Sequence, residues 1–151
     1  MIKLIRTDSD NKDFIYLVKL LDAELAVLDG EEHAFYAQLN KTDKIKHVII
    51  AYENDMPISC GAIREYSPNI TEVKRMYTLR ESRGKGIATK VLNELEKWAS
   101  ELSYHKCILE TGKRQPDAIW LYQKNGYKPI PNYGKYVEME NSVCFEKKLP
   151  N

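Results

Sequence analysis

Apolar side chains at Phe14, Leu17, Val18, Leu21 and Leu25 recur every three or four residues, which places them on one face of a helix. Upstream, Ile2 to Arg6 alternates weakly and predicts a first strand, with Asp8, Ser9 or Asp10 placed to cap the helix. Gly30 interrupts the pattern, and a second short helix is expected over residues 31–39, polar enough to serve as a surface lid. The β-branched run His47 to Tyr52 and the segment Ile58 to Tyr66 flank the turn residues Asn54, Asp55 and Pro57, so they read as a hairpin. After a second turn at Ser67 to Asn69, a strand is expected from about Ile70 to Leu79. Ile87, Val91, Leu92, Leu95, Trp98, Ala99 and Leu102 then mark a long amphipathic helix. Lys106 to Glu110 reads as a short strand, and Pro116 opens a further helix that Gly126 stops. Tyr136 to Glu140 and Val143 to Lys147 are expected to close the structure as an antiparallel pair. The order β-α-α-β-β-β-α-β-α-β-β predicts an α/β (α+β mixed) fold, a mixed sheet flanked by helices.

The chain has 151 residues without repeat or linker, which predicts one domain over 1–151. At that size folding buries roughly 68–70% of the unfolded surface, enough for a core without metal or disulfide staples. Lys plus Arg number 23 against 22 for Asp plus Glu, so nucleic acid and membrane surfaces are not expected partners. Cys60, Cys107 and Cys144 are widely spaced and form no CxxC pair, which excludes a zinc ribbon and predicts buried small side chains in a reducing compartment. The three histidines show no metal spacing, so no metal is expected. No apolar run approaches the ~20 residues of a membrane span, and the first ten residues do not read as a signal peptide; a cytoplasmic location is the expectation.

The chemistry concentrates between the fourth strand and the long helix, at Arg83-Gly84-Lys85-Gly86-Ile87-Ala88. Glycines let backbone approach a ligand closely, and the unpaired N–H groups of a helix start favour an anion. Arg80, Arg83 and Lys85 add positive charge, so the segment suits a diphosphate. Two nucleotide-binding spellings fail: Leu79 stands where a P-loop needs glycine, and Thr89 stands where a GxGxxG fingerprint needs its third.

The spelling that fits is Q/R-x-x-G-x-G/A, as Arg83, Gly86 and Ala88, following the strand Val73 to Leu79. Downstream, Gln115-Pro116-Asp117-Ala118-Ile119-Trp120-Leu121-Tyr122 leads to Gly126-Tyr127, a second signature in the expected order and spacing. Together they resemble motifs A and B of the GCN5-related N-acetyltransferase (GNAT) superfamily, and the resemblance covers nearly the whole chain. It implies a mostly antiparallel sheet of about seven strands with about four helices, splayed between strands 4 and 5. It also implies acetyl-CoA as acetyl donor, lying in that opening.

Carried onto this sequence, the resemblance gives Met76, Tyr77 and Thr78 to the pantetheine arm. It gives the amides of Arg83, Gly84, Lys85, Gly86, Ile87, Ala88 and Thr89 to the pyrophosphate. An amide near Met76 or Tyr77 would polarise the thioester carbonyl. Gln115 stands where many members have Asn and keeps a side-chain amide. Tyr122 aligns with the tyrosine that protonates the departing thiolate, although the helix alone would make it a core residue beside Leu121. Glu72 falls where the histone acetyltransferase branch carries its catalytic glutamate, with Glu65, Glu24 and Glu110 as rivals for the base. A base is needed because an alkyl amine, with a pKa near 10.4, is about one part in a thousand neutral near pH 7.4.

The expected activity is transfer of acetyl to a primary amine by direct attack in a ternary complex. A non-catalytic CoA-binding regulatory module is the alternative. The acceptor could be a small-molecule amine or a protein amine; the acids Glu24, Glu31, Glu32 and Glu65 and the tract Pro131 to Tyr136 could frame it, or could be solvated surface. A homodimer is compatible with an exposed terminal strand.

Overall fold

The computed structural model describes residues 1–30 and 44–150. The helix expected over 31–39 lies outside the described residues. Strand β1 (Ile2–Thr7) leads into helix α1 (Lys12–Asp29), followed by β2 (His47–Glu53), β3 (Met56–Ser67) and β4 (Ile70–Thr78). A 3-10 turn at Arg80–Ser82 precedes helix α2 (Ile87–Glu101), then β5 (Lys106–Gly112), helix α3 (Pro116–Lys124), β6 (Lys128–Ile130) and β7 (Ser142–Lys148). The seven strands form one sheet in the order β1-β2-β3-β4-β5-β7-β6, antiparallel except for β4 against β5. The mixed, mostly antiparallel seven-stranded architecture is therefore as expected.

Alternation along β2 shows how the layers are filled. Ile49 and Ala51 pack with α2 and α3 through Val91, Leu92, Leu95 and Tyr122, whereas Val48 and Ile50 pack with Phe14 and Leu17 of α1. Successive strand residues point to opposite faces, so α1 covers one side of the sheet and α2 with α3 the other. Helix α1 is capped by Asn11 rather than by Asp8, Ser9 or Asp10. Asn11 Oδ1 accepts from the Asp13 amide at 2.8 Å, while Asp8 bonds the Asp10 amide and Ser9 the Ile45 amide. The nearer candidates are occupied by the turn and by a bond to the chain entering β2.

One expected strand is corrected. Tyr136 to Glu140 is not extended; Gly134–Tyr136 is a 3-10 turn, and the edge strand is Lys128–Ile130. The Asn132 side-chain amide reaches the carbonyls of Tyr136, Met139 and Ser142 at 3.1–3.2 Å, which folds this segment into a loop. Pro129 is tolerated in β6 because that strand lies at the edge of the sheet.

The feature that positions the site is a bulge in β4. Cys60 pairs with Tyr77 and Ala62 with Lys74, so the single residue Gly61 opposes both Arg75 and Met76. Arg75 takes the left-handed region at φ 59°, a conformation that costs an L-residue about 1–2 kcal/mol. Its buried guanidinium is held by Asp22 of α1, Nη1 to Oδ1 at 2.7 Å. Gly61 has no room for a side chain: a Cβ there would overlap the Met76 sulfur and come within 2.8 Å of Leu95.

Candidate active site

Strands β4 and β5 pair for only three residues, Ile70 to Glu72 against Lys106 to Ile108. Past Glu72 they splay, each keeping only its outer neighbour, and the splay opens into two adjoining cavities. The larger, about 620 Å³, runs from Met76, Tyr77 and Thr78 to the start of α2 and along α3. The smaller, about 110 Å³, lies on the Glu72 side and is lined by Lys74, Glu110 and Tyr136 among others. Met76, Gln115, Ala118 and Tyr122 line both.

The larger cavity gathers most of the residues expected to hold a cofactor. Met76, Tyr77, Thr78, Arg83, Gly84, Gly86, Ile87, Ala88, Thr89 and Gln115 all line it, whereas Lys85 is exposed and does not. Gly84 and Gly86 have φ of 78° and 79°, and a Cβ at either would meet nothing within 4 Å. Their requirement is thus conformational rather than steric. Gly86 is the N-cap of α2, and no side chain caps the first-turn amides. A helix start that lacks the usual Ser, Thr, Asp or Asn cap leaves those N–H groups for an external anion. Arg83 crosses the cleft: Nε donates to the Thr78 carbonyl at 2.9 Å, and the two Nη atoms grip Glu24 of α1 at 2.8–3.0 Å. This pairing raises the Arg83 pKa and holds Glu24 on the wall of the larger cavity, away from the smaller one.

The smaller cavity is built from buried titratable groups. Glu72 is 7% exposed; its Oε2 accepts from the Tyr133 hydroxyl at 2.5 Å, and Lys74 Nζ stands 3.7 Å from Oε1. Burial lowers the Lys74 pKa, with Glu72 pulling it back up. Tyr133 and Tyr136 are pushed upward by burial, with the Glu72 and Glu110 carboxylates adding to it. Glu110, on the β5 side, accepts from Ser142 Oγ at 2.8 Å. Glu65 bonds the Tyr104 hydroxyl at an exposed position and lines neither cavity. Of the four candidate bases, Glu72 and Glu110 face the same space.

Tyr122 stands where the cavities meet, 6% exposed. Burial, and secondarily Glu110, raise its pKa, so the phenol keeps its proton throughout the working range. The three cysteines are buried and free, and Cys60 and Cys107 are pushed up to about 12 by burial, so none is poised as a nucleophile. Among the described residues no group of three His, Cys, Asp or Glu side chains could hold a metal ion, and no helix is long and apolar enough to cross a membrane.

Several residues that the structure brings to the cavities or their walls were not legible in the sequence. Lys74 reads as a strand lysine, yet its spacing of two from Glu72 puts both on one face and was the available signal. Tyr133 and Tyr136 belong to a tract that also read as solvated turn; instead Tyr136 is buried and Tyr133 anchors Glu72. Trp120 and Arg114, which line the larger cavity, carried no signal of their own.

A single parallel strand pair that opens beside a glycine-started helix, with a tyrosine at the junction, is the arrangement of an acyltransferase that takes its acyl group from a CoA thioester. The chain belongs to the Acetyltransferase (GNAT) family, whose model matches residues 14–127. An IAA acetyltransferase from Azospirillum brasilense is 31% identical over 137 residues, covering 89% of this chain and 90% of that protein. A Klebsiella pneumoniae protein assigned as an acyl-CoA N-acyltransferase shares the fold at TM-score 0.82 and 29% identity, over 99% of this chain and 98% of that one. A GNAT family acetyltransferase from Elizabethkingia anophelis with acetyl-CoA bound matches at TM-score 0.68 and 17% identity, over 98% of each chain, a likeness of fold.

Proposed function

We propose that the protein transfers acetyl from acetyl-CoA to a primary amine by direct attack, with both substrates bound together. The observation that carries this reading is the continuous opening past Glu72, with an uncapped helix start in one cavity, the Glu72 and Glu110 carboxylates in the other and Tyr122 between them. Bound acetyl-CoA supplies an activated thioester. The first-turn amides of α2, with Gly84 and Gly86 allowing the close approach, suit its pyrophosphate; the free edge of β4 at Met76 to Thr78 suits the pantetheine amides. The acceptor is an amine small enough, or carried on a chain slender enough, to enter the smaller cavity.

Glu72 takes the proton of the incoming ammonium. Tyr133 and Lys74 fix the carboxylate in place, and Lys74 offsets its charge. Tyr122 donates a hydrogen bond to the leaving sulfur. A thiol ionises near 8.5, well below this buried phenol, so full proton transfer is uphill and the hydroxyl stabilises the thiolate as a donor. Glu110, bonded to Ser142 Oγ, faces the same cavity and is the competing base.

The test is release of free CoA thiol from acetyl-CoA across a panel of primary amines. Turnover with at least one amine is expected, with kcat reduced far more by Glu72→Gln than by Glu110→Gln. The reverse order would make Glu110 the base, and no turnover with any amine by protein that binds acetyl-CoA would overturn the acetyl-transfer reading.

A further inference from the structure

Trp120 is 63% exposed, an unusual position for the largest apolar side chain. It lies on the outer face of α3 and lines the mouth of the larger cavity. Lys124, one turn further along the helix, holds its Nζ 4.7 Å from the indole centroid and lines the same cavity. Residues four apart share a helix face, so ring and ammonium form one composite surface. Neither residue belongs to the splay, the loop or the acceptor-side cavity, and the acetyl-transfer chemistry gives them no task.

The charges along the groove are sorted. Its acids, Glu24 and Asp117, lie toward Arg83, where Glu24 is paired and Asp117 acts on the guanidinium charge. The Trp120 end carries the Lys124 ammonium. A planar apolar face beside one cation is complementary to a purine bearing a phosphate nearby. A ligand whose diphosphate sits on the α2 amides would extend its remaining half along this groove, because Thr89 of the first turn of α2 lies within hydrogen-bond reach of Asn125, the residue after Lys124.

We propose that Trp120 and Lys124 form the nucleotide end of the cofactor site, the indole stacking on adenine and the ammonium pairing with the ribose 3′-phosphate. This rests on the acetyl-CoA reading and extends it to two residues that lie within the second sequence signature, at positions given no role there. It makes the protein discriminate CoA from its 3′-dephospho form, since the pantetheine and diphosphate contacts are common to both.

The experiment compares three ligands: acetyl-CoA, acetyl-3′-dephospho-CoA and S-acetyl-4′-phosphopantetheine. Each is titrated calorimetrically against the wild type, Trp120→Ala and Lys124→Ala. Both positions are exposed on a helix and alanine is the best helix former, so the variants fold. Trp120→Ala is expected to weaken acetyl-CoA and its dephospho form at least about five-fold, the lower end for loss of a base stack, and to leave the phosphopantetheine ligand unchanged. Lys124→Ala is expected to weaken acetyl-CoA alone, so that its preference over the dephospho form disappears. Equal affinities of wild type and variants for acetyl-CoA, or equal loss for all three ligands, would overturn the proposal while leaving acetyl-CoA binding intact. A wild type that binds none of the three would instead overturn the cofactor reading on which it stands.

Discussion

The two cavities on either side of Tyr122 are made by different means. The larger is a backbone site: left-handed glycines, an uncapped helix start and a strand edge supply its donors, and the ion pair of Arg83 with Glu24 spans the rim. The smaller is a side-chain site, where Glu72 and Lys74 are buried together, the half-buried Tyr133 bonds Glu72, and Glu110 faces them. Backbone donors are fixed by the fold and serve any ligand of the right shape. Buried ionised groups must instead be mutually compensated, so a change at one is felt by all. On the proposed function, the backbone site takes the acetyl donor and the side-chain site the amine.

Lys74→Met breaks that comparison most severely. Removing one partner of a buried pair leaves the other charge without its counter-ion and typically costs about 3 kcal/mol or more, so chemical denaturation should show a loss of this size. Acetyl-CoA affinity should change little. The pH dependence has a definite sign. The Lys74 pKa is lowered in the folded protein, so between that value and the ordinary value of about 10.4 the unfolded chain binds more protons. Lys74 therefore contributes stability that rises with pH through this window, and the Met variant should lack that component.

Tyr122→Phe tests the junction. Loss of its donor should lower kcat about 10²-fold, with the Kd for acetyl-CoA measured by calorimetry unchanged. A parallel fall in affinity would make the hydroxyl a binding group rather than a participant in the chemistry.

Gly61→Ala links the sheet to the larger cavity. The added methyl displaces Met76 and presses on Leu95, an overpacking expected to cost about 1–3 kcal/mol. Because Met76 lines the cleft, the thermal midpoint and acetyl-CoA affinity should fall together. A stability loss without an affinity loss would show that the cleft wall is held independently of the bulge. The smallest effect concerns the thiols. With Cys60 and Cys107 pushed up to about 12 by burial, a thiol reagent should label the native protein only as fast as it opens, and acetyl-CoA should slow that labelling.

The same contrast explains what the sequence made legible. The backbone site was readable because its requirements are local: two glycines, a strand before and an amphipathic helix after, all within residues 73–102. The side-chain site joins Glu72 to Tyr133, 61 positions apart, through a loop held by Asn132. Nothing local in either segment announces that contact. The misplaced strand at 136–140 has the same cause, since Asn132 overrides an alternating pattern with bonds to three carbonyls. The bulge that turns Arg75 toward α1 was equally hidden, because its cause, Gly61, lies on the neighbouring strand.

The most direct test of the central claim is calorimetric titration of the folded protein with acetyl-CoA, with ATP and NAD as controls and Gly86→Val as the comparison. Valine cannot hold φ near 79° without strain, and it distorts the start of α2 where Gly86 lines the cavity. The account predicts saturable one-site binding of acetyl-CoA by the wild type, lost in the variant and absent for both controls. A folded wild type that does not bind acetyl-CoA, or a Gly86→Val variant that binds it equally well, would contradict it.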